Sequence, residues 1–141
     1  MPYHFDFDST NQILRGRFEG RVINEELRNF YQIAGHLVAK IRPRAGITDF
    51  ASVTSLEVSP ETVRDLASLP PAMPDPVQPR VIVAPAPDIF GLARMFQLEG
   101  EQTRPNLHVV RKLGEACAIL GAHDLKFKPI RQDDQTRGLK P

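Results

Sequence analysis

The stretch Ala45-Gly46-Ile47-Thr48-Asp49-Phe50-Ala51-Ser52-Val53-Thr54-Ser55-Leu56-Glu57-Val58-Ser59-Pro60-Glu61-Thr62 decides how the chain is read. Ala45 to Ala51 has the composition of a strand, Ser52 to Val58 that of a loop, and Ser59 opens a helix. A serine hydroxyl accepts from the free amides of a first helical turn. A proline at the next position sacrifices no intrahelical hydrogen bond. Strand, loop and helix in that order make one unit of an α/β sheet, with Ile47 to Ala51 in the sheet interior.

The flanking sequence supplies the rest of that sheet. Tyr3, Phe5 and Phe7 alternate with His4, Asp6 and Asp8, the period of a half-buried strand. Ser9 to Gln12 is turn chemistry, and Ile13 to Glu19 alternates again, so the two form a hairpin. Asn24 is the expected cap of a helix whose apolar positions, Leu27, Phe30, Tyr31, Ala34, Leu37, Val38 and Ile41, recur in steps of three and four. Pro43 stops it. After the central unit, five prolines between Leu69 and Pro79 mark a stiff surface loop. Arg80 to Ala84 is an apolar run suited to a strand buried on both faces. Asp88 is placed to cap the next helix, which ends at Gly100. Leu107 to Val110 reads as a strand and Leu113 to Leu120 as a helix. Ala122 to Ile130 has room for a short edge strand. The expected class is an α/β mixed sheet: an N-terminal antiparallel hairpin, then parallel strand–helix units with helices packed on the sheet.

The chain has 141 residues, 41% hydrophobic and 25% charged, with a formal net charge of +1. This fits a single soluble domain over residues 1–130, followed by a polar, frayed tail at 131–141. The charge gives no field to recruit nucleic acid or an anionic membrane. No run is long enough for stable membrane insertion. Cys117 stands alone on an apolar helical face, so no internal disulfide forms and a reducing compartment is expected. Met1 to Asp6 is unlike a secretory leader, which points to the cytoplasm. His4, His36, His108 and His123 lack metal-ligand spacing, and no phosphate loop or nucleophile elbow occurs, so neither cofactor nor metal is expected.

Three groups of residues carry a resemblance: Gly46-Ile47-Thr48-Asp49-Phe50 leading to Val58-Ser59-Pro60-Glu61-Thr62-Val63-Arg64; Arg80 to Ala84 followed by Ile89-Phe90-Gly91-Leu92-Ala93-Arg94-Met95-Phe96; and Val109-Val110-Arg111 before a helix. Over Tyr3 to Leu120 the order resembles the STAS fold, and within it the SpoIIAA-like branch of anti-sigma-factor antagonists. The resemblance implies a regulatory or protein-interaction domain without catalytic activity. In phospho-switch members an Asp-Ser-Ser/Thr-Gly motif opens the helix after the central strand, and its serine is phosphorylated. Ser59 is the nearest counterpart here. The Asp-Ser pair and the glycine are missing and Pro60 follows directly, so a domain without the switch is expected.

In open α/β sheets ligands gather beyond the carboxyl ends of the strands. Ser52, Thr54, Ser55 and Ser59, with Asp88, fall there and make the candidate ligand or docking loop. They serve either a small anion or lipid, with helix amides nearby, or only as a cap and solvated loop. Phe90, Arg94 and Met95 are a candidate partner surface or part of the core. Asp49, inside an apolar strand, is a candidate perturbed carboxylate. The partner is a protein or a second copy of the chain.

Overall fold

The computed structural model describes residues 2–139. In chain order the elements are β1 (Tyr3–Asp8), β2 (Ile13–Ile23), α1 (Asn24–Ile41), β3 (Ala45–Glu57), α2 (Pro60–Ser68) and β4 (Arg80–Val83). Then come α3 (Pro87–Glu99), β5 (Leu107–Val110), α4 (Leu113–Leu120), β6 (Lys128–Pro129) and α5 (Gln132–Thr136). One sheet holds the strands in the order β5-β4-β3-β2-β1-β6. β1 is antiparallel to both its neighbours, while β2, β3, β4 and β5 run parallel. The expected mixed α/β sheet is the observed one, with β3 in its interior and Pro60 at the start of a helix.

The pleat divides the side chains between two cores. Tyr3, Phe5, Leu14, Phe18, Phe50 and Ile82 face α1, α2 and α3. Ile13, Ala45, Ile47, Val81 and Val83 face α4 and the segment after it. In the first core the Phe30 ring from α1 lies flat on Phe5, with centroids 4.9 Å apart, and also meets Tyr3 and Phe18. That approach requires Gly16, because a Cβ there would stand 2.3 Å from the Phe30 ring.

The other face of the hairpin is polar but closed. Asp6, 3% exposed, receives both arms of Arg15, at 2.9 and 2.7 Å, and Nε of Arg17 at 3.3 Å. The Phe127 ring lies 4.0 Å from the Arg15 guanidinium. Asp8 is fully buried and accepts from the Asn11 amide, the Asn11 side chain and the Lys126 amide. Burial alone would raise its pKa; the hydrogen bonds from Asn11, Lys126 and Thr10 outweigh that and hold it below the ordinary value.

Four features depart from the sequence reading. Ser52 to Glu57 is strand, not loop, because β2 also runs on to Ile23 and its backbone pairs that stretch. Asn24 is the first helical residue rather than the cap: Glu26 Oε1 accepts from the Ile23 amide at 3.0 Å, and Asn24 Oδ1 accepts from the Ser59 amide at 2.9 Å. Asp88 lies in the first turn of α3 and does not cap it, since Pro87 occupies the first helical position and Ala86 precedes it. The tail expected to fray carries α5, held to α1 through His36 and the Arg137 carbonyl at 2.8 Å, with Gln135 buried. Lys140 and Pro141 of that tail lie outside the described residues. The edge strand looked for in 122–130 is β6 alone.

Two stability measurements follow. Gly16→Ala forces the Phe30 ring aside and should cost about 1–3 kcal/mol in urea unfolding. Asp8→Asn should cost on the order of 1–3 kcal/mol at neutral pH. The Asp8 contribution is present above the unfolded-state pKa of about 3.9 and is lost as pH falls through the lower folded value. The gap between wild type and Asp8→Asn should therefore narrow below about pH 4 in acid titrations of stability.

Candidate functional site

β4 ends at Val83, opposite Asp49, but β3 runs on beside β2 as far as Glu57. Beyond Asp49 β3 has β2 on one side and no paired strand on the other, among the described residues. Two register shifts accompany this extension. Arg17 and Glu19 face Asp49 and Ser52, and Gly20 and Arg21 face Val53 and Ser55, so β3 carries one extra residue at each step. An extra residue delays the return to the inner face by one position. The inward side chains are therefore Phe50, Val53 and Leu56, three apart, while Ala51, Ser52, Thr54 and Ser55 are exposed. Gly20, with φ 69°, sits at the second shift, in a conformation other side chains rarely adopt. The tip is tied by Arg21 and Glu57, a bidentate pair. The hydrogen bond from Arg21 holds the Glu57 carboxyl below its ordinary value, and Ser55 adds a contact at 3.3 Å.

Ser59 stands where β3 hands over to α2. Its Oγ accepts from the Thr62 amide at 3.2 Å and lies 3.0 Å from the Thr62 hydroxyl. It is half-buried and followed by Pro60 at the first helical position. Ser59 thus differs from Ser52, Thr54 and Ser55: those three are exposed on β3, with the Ser55 hydroxyl donating to Glu57, whereas the Ser59 hydroxyl is engaged in its own helix.

The remaining candidates lie on α3, and Asp49 stands where β4 stops. Asp88 is exposed in the first turn of α3. Phe90 is half-buried under the Arg111 guanidinium, 4.4 Å from its ring centroid. Met95 is half-buried against the core, and Arg94 is exposed and bonded to Gln97. Asp49 accepts from the Ala51 amide at 2.9 Å. With Pro85, Arg111 and Lys112 it rims an open depression of about 440 Å³. Neither Asp49 nor a histidine is hydrogen-bonded to a hydroxyl among the described residues, the histidine partners being Glu19, the Arg137 carbonyl and Asn106. No three His, Cys, Asp or Glu side chains gather as metal ligands among the described residues. No described helix is long and apolar enough to cross a membrane.

A second feature was not visible in the sequence. Between the sheet and α1, α2 and α3 lies a cavity of about 180 Å³ with an apolar wall. One end carries Tyr31, Arg80 and Arg104. Arg104 is 3% exposed and donates to the carbonyls of Leu66, Ala67 and Leu69, closing the C-terminus of α2. Arg80 donates to the carbonyls of Met73, Asp75 and Gln78 and so fixes the proline-rich loop. The small residues Gly46 and Thr48 in a central strand were the available signal; a buried Arg104 next to Pro105 gives none.

A mixed α/β sheet with this strand order and three helices on one face defines a known class. No family model matches the sequence, and no curated protein matches it. Among solved structures the chain is similar to the anti-sigma factor antagonist SpoIIAA in its unphosphorylated form, at 10% identity and TM-score 0.55, over 86% of this chain and 99% of that one. It is also similar to the phosphorylated form of the Bacillus cell fate determinant SpoIIAA, at 11% identity and TM-score 0.53, over 83% and 98%. The chain has the SpoIIAA-like STAS fold.

Removing the cap tests the local account of Ser59. Ser59→Ala should lower stability by about 1 kcal/mol, read by urea unfolding, without loss of the fold.

Proposed function

We propose that this chain is a non-enzymatic protein-interaction domain of regulatory type that docks a protein partner along the outer half of β3. One observation carries the reading. From Ala51 to Ser55 the open side of β3 presents only small uncharged exposed residues, Ala51, Ser52, Thr54 and Ser55. Soluble proteins usually protect an open strand with charge, proline or a covering element. Past Asp49, whose carboxylate takes the Ala51 amide, the edge carries no charge until Glu57; such a stretch suits a partner that adds a strand, since main-chain hydrogen bonds supply affinity and small side chains allow close approach. The likeness in fold to an anti-sigma factor antagonist supports the regulatory class.

The domain works without a serine phospho-switch at Ser59. The Ser59 hydroxyl already serves as the N-cap of α2, directly followed by Pro60. Phe90, Arg94 and Met95 form the shoulder of the docking face rather than its centre, because Phe90 is already covered by Arg111. The setting is the cytoplasm, and a second copy of the chain competes for the same edge. A small-molecule or lipid site at the strand ends has less support, as the depression there is open.

The experiment compares capture from host lysate by the wild type and by the double variant Ser52→Lys, Thr54→Lys. The wild type should retain a defined partner, and the variant, folded by circular dichroism, should retain about tenfold less. Equal capture by both proteins contradicts the reading.

A further inference from the structure

The cavity between the sheet and the helices is not a chance gap in packing. The side chains facing it are small where core positions normally carry large ones: Gly46 and Thr48 on β3, Ala34 on α1 and Ala93 on α3. A Cβ built on Gly46 would meet nothing closer than 3.9 Å, so the space beside it could hold more atoms. The wall contains no carboxylate, yet two guanidinium groups, of Arg80 and Arg104, stand at one end. Neither forms a salt bridge among the described residues; main-chain carbonyls, Tyr31 and Thr103 take their hydrogen bonds without neutralising their charge. Burial lowers the pKa of Arg80 and the nearby charge of Arg104 lowers it further, while Tyr31 and the Asp75 carboxylate offset only part of this. An anion at that end would relieve both costs.

We propose that this cavity binds a small amphipathic carboxylate, with its apolar chain over Gly46 and Thr48 and its anionic group toward Arg80 and Arg104. An apolar cavity of about 150 Å³ accommodates benzene, so 180 Å³ suits a ligand of roughly seven to ten non-hydrogen atoms. A neutral hydrocarbon fills the volume but leaves the two charges unbalanced, and a free inorganic anion does the reverse. Ala72 and Met73 of the proline-rich loop, which belong to no helix or strand, form part of the cavity wall. Phe50 and Leu56 of β3 also line the cavity, but the charged end is formed by Arg80 and Arg104 outside the docking edge, and hexanoate binding is read separately from partner capture.

Hexanoate is the probe, with hexanol as the neutral control, titrated into methyl-labelled protein. Hexanoate should raise the melting temperature and produce saturable shifts at the Ile82, Leu92 and Ala93 methyl groups, with hexanol at least about fivefold weaker. Gly46→Val places a β-branched side chain in the vacant space; it should melt higher than wild type and bind hexanoate at least about tenfold more weakly. Ala93→Leu, from the opposite wall, repeats the test should Gly46→Val not fold. No shift at those methyl groups, equal affinity for hexanol, or unchanged hexanoate affinity in the folded filling variants overturns the proposal.

Discussion

The parallel pairing of β2 with β3 is the constraint on which the rest of the structure depends. A parallel pair cannot be closed by a tight turn, so α1 must cross over between the two strands. That crossover lays Phe30 across Gly16 and builds the aromatic core. The same pairing continues past the point where β4 stops and, apart from the Asp49 side chain on the Ala51 amide, it supplies the backbone pairing of the extension. Because α2 starts only where this extension ends, the length of β3 sets where α2 sits over the sheet. The cavity beneath α2 and the open edge of β3 are two consequences of one long pairing.

The two faces of the sheet are stabilised differently. The face under α1, α2 and α3 relies on apolar burial. The opposite face, near the hairpin, buries two carboxylates, Asp6 and Asp8. Buried charge is tolerated there because every oxygen has a donor. Asp8 has the further effect of holding the chain near Lys126, which brings Phe127 under Arg15 and β6 alongside β1. The C-terminal segment is thereby part of the fold, with α5 resting on α1.

Much of this was legible in the residues, for reasons that can be named. Alternation in Tyr3 to Asp8 and three-four spacing in Leu27 to Ile41 are strong signals, since each face meets a different solvent. Ser59-Pro60 located the start of α2 because capping is a local interaction. The outer half of β3 was hidden for an equally physical reason. Its inward residues Phe50, Val53 and Leu56 are spaced by three, a period that two bulges impose and that neither strand nor helix templates contain. Ser52, Thr54 and Ser55 then looked like a loop. Asn24 and Asp88 resembled caps because their residue types suit the role; in α1 a glutamate at the third helical position bonds the Ile23 amide instead, and in α3 Ala86 is the N-cap with no side-chain cap before Pro87. The cavity and its arginines depend on side chains from most elements of the sheet and from α1, α2 and α3, and no local pattern encodes such a convergence.

Amide hydrogen exchange along β3 tests the central claim most directly. If β2 and β3 stay paired beyond Asp49, amides within Ser52 to Glu57 exchange slowly, approaching the protection of those around Ile47. Exchange throughout that stretch at the rate of an open chain would contradict the account.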